Sequence, residues 1–303
     1  MKVLIAYDGT RGSDVALYDL RRAGLPRDVE AVVLAAADFW MPPESPTLAP
    51  TPPSPAAAIE LRAAVKQAVD DALALAQRAQ ARLALDFPGW RIATEAVADA
   101  PAWAIIQKAE DWGADLTVVG SRGQSPLRRL LLGSVSLKVV TELRRDVRIA
   151  RGRERRPDRP VRIVFGVDGS AGSDAAIQVA TARQWPMGSA ARVVVVVDSR
   201  RAGAARGATG AHALQAETWS RRAADQAAQQ LKAAGLDVAT LVAPGDPKTI
   251  LPNEAKRWNA DCIFLGARGM TRIERFVLGS VSTAVALRAP CSVEIVHPAQ
   301  APS

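Results

Sequence analysis

Residues 120–136 read GSRGQSPLRRLLLGSVS, and residues 266–282 read GARGMTRIERFVLGSVS. Laid over each other, the two stretches agree at nine of seventeen positions. Each spaces a glycine, two residues, a second glycine, nine residues and then Gly-Ser. The fixed positions are Gly120, Gly123, Gly133 and Ser134 in one copy, and Gly266, Gly269, Gly279 and Ser280 in the other. Much of the remaining chain has diverged between its halves, so these stretches mark an internal repeat and the first place to look for function.

Immediately upstream lie ADLTVVG (114–120) and ADCIFLG (260–266), short apolar runs of the kind that form buried parallel strands. At the head of each half, KVLIAYDGT (2–10) and VRIVFGVDGS (161–170) read as first strands that deliver Asp8 and Asp168 at their carboxyl ends. Capping residues and helical patterns follow both. Second strands are expected at 29–38 and 191–199, long helices at 57–85 and 211–235, and third strands at RIATEAVA and LDVATLVA. Further helices open at Pro101 and after Pro247, and another runs from Ser134 to about Leu143. The offset between equivalent residues falls from 160 at the aspartates to 146 at the glycines. The missing residues lie where FWMPPESPTLAPTPPSPAAA, with seven prolines, is replaced by SRRAGAARGATG. The proline-rich stretch (39–56) reads as an extended surface loop, either covering a site, binding a partner or inert.

Strands and helices alternating at this spacing imply parallel βαβ units. The chain is therefore expected to be α/β, with two Rossmann-like domains, each an open parallel sheet with helices on both faces. The expected division is 1–150 and 161–298, joined by an Arg/Pro-rich linker at 151–160. A switch in strand order places a crevice at the carboxyl ends of the first and fourth strands, where Asp8 and Gly120, and Asp168 and Gly266, sit.

The totals agree with two soluble domains: 303 residues, 49% hydrophobic and 23% charged. Neither a signal peptide nor a membrane span is readable, so a cytoplasmic protein without membrane attachment is expected. Cys262 and Cys291 fit that compartment as buried thiols in neighbouring strands. The formal charge of +8 is concentrated in RRDVRIARGRERRPDR (144–159), where eight Arg face Asp146, Glu154 and Asp158. Without interleaved aromatics or a nucleic-acid motif, this reads as a solvated linker, and no nucleic-acid partner is expected.

A glycine directly after a strand permits close backbone approach, and a second three residues on keeps the turn free of Cβ atoms. Gly133-Ser134-Val135 and Gly279-Ser280-Val281 then open helices whose free N–H groups favour an anion. A polyphosphate could lie between strand end and helix start. Ser134 or Ser280 could donate to it or meet its Mg²⁺, and Arg122 or Arg268 would add positive charge. The same residues could serve only as turns and caps, and Asp8 and Asp168 only as turn formers. Neither the P-loop nor the GxGxxG fingerprint is present in these stretches.

The doubled G-x2-G-x9-G-S, each copy paired with a strand-end Asp, resembles the universal stress protein family in its tandem form and ATP-binding branch. That likeness runs from Lys2 to about Ile149 and from Val161 to about Pro298. It implies five-stranded parallel sheets in order 3-2-1-4-5, ATP with Mg²⁺ as cofactor, and a regulatory role in stress survival. It also implies one site at Asp8, Gly120, Gly123, Gly133, Ser134 and Val135, and another at Asp168, Gly266, Gly269, Gly279, Ser280 and Val281. The first half departs from the pattern in its fifth strand, RRDVRIA, which lacks the apolar run of CSVEIV and leaves the pairing of the halves open. The expected partners are an adenine nucleotide and either a further copy of the chain or another protein.

His212 and His297 lie outside the repeated stretches and read as surface residues rather than bases. Paired carboxylates at metal-binding spacing are absent from the sequence. A nucleotide binder with at most slow ATPase turnover is therefore expected. The contrasting reading is an ATP-using hydrolase or transferase of the adenine-nucleotide α-hydrolase group, which would need a reactive group beside the phosphates.

Overall fold

The computed structural model describes residues 1–38, 54–121, 132–152, 159–198, 210–269 and 278–298. In the first half, β1 (Lys2–Ala6), β2 (Glu30–Ala37), β3 (Arg91–Ala98), β4 (Leu116–Gly120) and β5 (Asp146–Ala150) alternate with four helices. These are α1 (Arg11–Leu20), α2 (Pro55–Asp86), α3 (Pro101–Trp112) and α4 (Ser134–Glu142). The second half repeats the order with β6 (Arg162–Val167), α5 (Ala171–Thr181), β7 (Ala190–Asp198), α6 (Gly210–Ala233), β8 (Asp237–Gly245), α7 (Pro247–Arg257), β9 (Cys262–Gly266), α8 (Ser280–Arg288) and β10 (Ser292–Val296).

Each half forms a parallel sheet in order 3-2-1-4-5, and the two join through their fifth strands. One ten-stranded sheet results, ordered β3-β2-β1-β4-β5-β10-β9-β6-β7-β8. β5 and β10 are antiparallel, with Val147 opposite Ile295, Arg148 opposite Glu294 and Ile149 opposite Val293. The carboxyl ends of the first-half strands therefore point away from those of the second half, and the two crevices open at opposite ends of the sheet.

Local chemistry explains the elements. Val3, Leu4 and Ile5 are all fully buried because helices cover both faces of β1. Thr10 and Ser170 cap α1 and α5 by accepting from Ser13 N and Ser173 N. α3 begins on Pro101, where a missing N–H costs nothing, and ends on Gly113 at φ +70°. α2 lays Ala72, Ala76, Ala79 and Leu83 on the sheet at helical spacing. Its first turns include the exposed Ile59 and Leu61.

Two expectations are corrected. The proline-rich stretch is not wholly without helix, because α2 starts at Pro55, where proline suits a first helical position. The fifth strand of the first half is no weak edge: four of its five residues are buried in the middle of the sheet. Its central arginine is satisfied both within its own half and across the seam. Arg148 Nε donates to Asp19 Oδ2 at 2.5 Å and its Nη1 to Glu294 Oε2 at 2.8 Å. On the opposite face one apolar core runs through both halves, with Val139, Leu143 and Ile149 joined to Leu251, Val285 and Ile295. The face carrying the ions separates two further cores, one per half.

The ends of the Arg-rich segment are held to the body. Arg151 Nη1 donates to Ala289 O at 2.8 Å, and Arg22 donates to the carbonyls of Arg159 and Pro160 at 3.1 Å each. Residues 153–158 of the linker, 39–53 of the proline-rich stretch and 199–209 of its replacement lie outside the described residues.

Candidate functional site

In each half β1 or β6 lies between its second and fourth strands, so the strand order switches beside the Asp-Gly turn. Asp8 Oδ1 accepts from Thr10 N at 3.0 Å and Thr10 Oγ1 at 2.6 Å. Asp168 Oδ1 accepts from Ser170 N at 3.1 Å. Gly9 and Gly169 follow at φ +72° and +70°, a backbone region open to glycine. The aspartates thus do form their turns, each through one oxygen. In the second half the other oxygen reaches the glycine stretch: a Cβ on Gly269 would lie 2.5 Å from Asp168 Oδ2.

The first glycine of each motif has a contact that needs no ligand. A Cβ on Gly120 would lie 2.5 Å from Gly12 C and O, and one on Gly266 would strike Gly172 C. The start of α1 or α5 rests directly on the strand end, and glycine faces glycine at both places. Sequence reasoning overlooked Gly12 and Gly172, although Gly-Ser-Asp recurs at 12–14 and 172–174.

The helix starts are braced twice. Gly133 N donates to Ser121 O at 2.9 Å, and Gly279 N to Ala267 O at 2.7 Å. Ser136 Oγ donates to Gly120 O at 2.5 Å, and Ser282 Oγ to Gly266 O at 2.7 Å. The last serine of each GSVS therefore ties helix to strand, a role the sequence did not disclose. Val135 and Val281 pack against the apolar core. Ser134 and Ser280 are exposed. Gly133 and Gly279 cap α4 and α8 without a side-chain hydrogen bond, unlike Thr10 and Ser170. First-turn amides without a side-chain cap, on helices anchored by half-buried valines, make an anion-receptive end.

Arg268 is exposed beside Gly269, and its carbonyl accepts from Ser170 Oγ at 3.2 Å. Arg122 and Gly123, the matching positions of the first copy, lie outside the described residues. The structure brings together Asp168, Gly266, Arg268, Gly269, Gly279, Ser280 and Val281; in the first half it places Asp8, Gly120, Gly133, Ser134 and Val135 in the corresponding arrangement.

His297 corrects the expectation of a surface histidine. It follows β10, and both ring nitrogens are buried without a well-formed hydrogen bond among the described residues, the Arg145 backbone making only a weak approach. Burial, followed by the charge of Arg268, pushes its imidazole down to about 4, so the ring is neutral. Its backbone N–H donates to Asp146 Oδ1 at 2.8 Å. Burial pushes that carboxyl up to about 7, against the effect of this hydrogen bond. Cys262 and Cys291 are buried free thiols; burial raises both, Cys291 to about 12. Among the described residues, no group of three or more His, Cys, Asp or Glu is placed to hold a metal ion. No helix among them is long and apolar enough to cross a membrane.

The model of the universal stress protein family matches residues 1–151 and again 161–297. The crystal structure of a universal stress protein from Archaeoglobus fulgidus DSM 4304 has a TM-score of 0.61 at 18% identity, covering 99% of this chain and 97% of that one. A functionally unknown protein from Pseudomonas aeruginosa PAO1 gives 0.58 at 14%, over 98% and 92%. At these identities the likeness is one of fold. A Staphylococcus aureus (strain USA300) protein whose name assigns it to the universal stress proteins is 41% identical over 68 residues. That match spans 22% of this chain and 41% of the length of the curated relative.

Proposed function

The chain belongs to the universal stress protein family, and we propose that each half is a site for ATP, whose occupancy regulates a stress or survival response. The observation that carries this reading is the doubled crevice. A strand-end carboxylate, a glycine turn and an uncapped helix start converge at the strand-order switch, and in the second half Asp168 Oδ2 lies against Gly269.

On this reading Asp8 and Asp168 keep one oxygen in their turns and accept from ribose hydroxyls or the adenine amine with the other. The amides at Gly133-Ser134-Val135 and Gly279-Ser280-Val281 receive phosphate oxygens. Ser134 and Ser280 donate to the phosphates or meet Mg²⁺, which arrives with the phosphates rather than in a carboxylate cluster. Arg268, and Arg122 at the matching position, balance the charge. Bound ATP supplies a polyanion whose presence or absence is the signal. A second copy of the chain or another protein reads that state. Units of 1–150 and 161–298 joined through 151–160 give one site per unit, and the two buried free thiols suit the cytoplasm.

Mass spectrometry of small molecules released from denatured protein tests the reading, with ATP or ADP expected. Ser134→Glu with Ser280→Glu tests the place. A carboxylate in the first turn favours the helix by about 0.5 kcal/mol through its dipole, yet occupies the position given to phosphate. The variant should melt no lower than the nucleotide-free parent and retain no nucleotide. Unchanged retention would overturn the site.

A further inference from the structure

The seam between β5 and β10 relates the repeat to itself. With the offset of 146 that carries Gly120 to Gly266, Val147 corresponds to Val293, Arg148 to Glu294 and Ile149 to Ile295. The register places Arg148 directly opposite Glu294, with Val147 facing Ile295 and Ile149 facing Val293 on either side. The flanking residues are identical in the two repeats, so they fit equally well whichever strands pair. Only the central position differs between them, and it carries opposite charges.

Each charge already has a partner within its own half. Asp19 of α1 accepts from Arg148 at 2.5 Å, and Arg183, just beyond α5, pairs with Glu294. The Arg148 side chain is 2% exposed and that of Glu294 is fully buried. Pairing β5 with a second β5 would set Arg148 against Arg148, and pairing β10 with β10 would set Glu294 against Glu294. Like charges directly opposite each other in a sheet repel, and a buried site lacks the water that would screen them.

We propose that Arg148 and Glu294 make this interaction surface selective: β5 accepts β10 and rejects another β5, β10 likewise rejects itself, and the tandem chain therefore closes on its own second half. Arg22 adds to the fit by donating across the seam to Asp261 Oδ2 at 2.9 Å.

The test uses two full-length variants. One carries Arg148→Glu with Asp19→Asn, and the other Glu294→Arg with Arg183→Met; the companion changes remove clashes within each half. Alone, the first has only acidic seam positions and the second only basic ones, so neither can close. Mixed, each supplies what the other lacks. The parent should sediment as one chain of 32.1 kDa. Each variant alone should be expanded by small-angle scattering or fail to refold. The pair, co-refolded from denaturant in equal amounts, should give a compact one-to-one complex of twice the mass. A compact closed monomer from either variant alone overturns the proposal, as does failure to recover the complex on co-refolding.

Discussion

The two crevices share a frame and differ in one wall. Gly12 against Gly120 and Gly172 against Gly266 make the same contact, and Ser136 and Ser282 make the same brace. Beside the Asp-Gly turn, however, Leu75 of α2 lies against Gly9, whereas the half-exposed Trp219 of α6 lies against Gly169. Behind the first turn, Tyr7 and Arg82 both donate to Asp14; Val167 stands where Tyr7 does, and Asp174 makes no matching pair among the described residues. Divergence is tolerated on the wall because side chains there can change volume independently. It is refused at the floor, where two backbones touch.

The largest expected effect tests that identity of frame. Gly120→Val and Gly266→Val should each destabilise the protein by about 3 kcal/mol, since the added atoms meet backbone rather than a movable side chain. Hydrogen exchange should show the loss in the half that carries the change, and clearly unequal losses would break the equivalence. A smaller effect tests the difference: Asp14→Asn should cost about 1 kcal/mol by weakening hydrogen bonds from Tyr7 and Arg82. Asp174→Asn should stay within about 0.5 kcal/mol, read from urea midpoints.

A further effect depends on pH and concerns Asp146, whose repeat counterpart is the non-titrating Ser292. Its folded value is raised from 3.8 to about 7, so its contribution is fully present below about 4 and is lost as pH rises toward 7. His297 has the opposite sign. Lowered from 6.5 to about 4, it stabilises above about 6.5, and that contribution is lost as pH falls toward 4. Asp146→Asn should therefore raise the melting midpoint at pH 7.5, leave it nearly unchanged at pH 4, and expose the acid-side decline due to His297. Equal shifts at both pH values would remove this account.

The strand-helix order was legible because each apolar run keeps its period and each turn its Gly, Pro or capping residue, whereas the 3-2-1-4-5 arrangement followed only from the family resemblance. The seam was not. Arg148 reads as a solvated residue in RRDVRIA because its partners Asp19 and Glu294 stand 129 and 146 residues away along the chain. Glu294 was equally inconspicuous inside CSVEIV. His297 looked exposed for a related reason, since nothing local shows that β10 ends in the middle of a ten-stranded sheet. At the crevice, spacing marked the glycines, but it could not separate backbone contact from ligand approach. Gly120 and Gly266 needed coordinates to show that another backbone already lies against them.

The placement of α1 has a mechanical consequence. Its first residues rest on Gly120 at one crevice, and Asp19, near its last turn, holds Arg148 at the seam. α5 does the same between Gly266 and Arg183, which grips Glu294. Each helix is a strut about 15 Å long, and the two meet end to end through a chain of four charges. A displacement along one strut would load the ion chain directly, so two crevices facing opposite directions share a single axle.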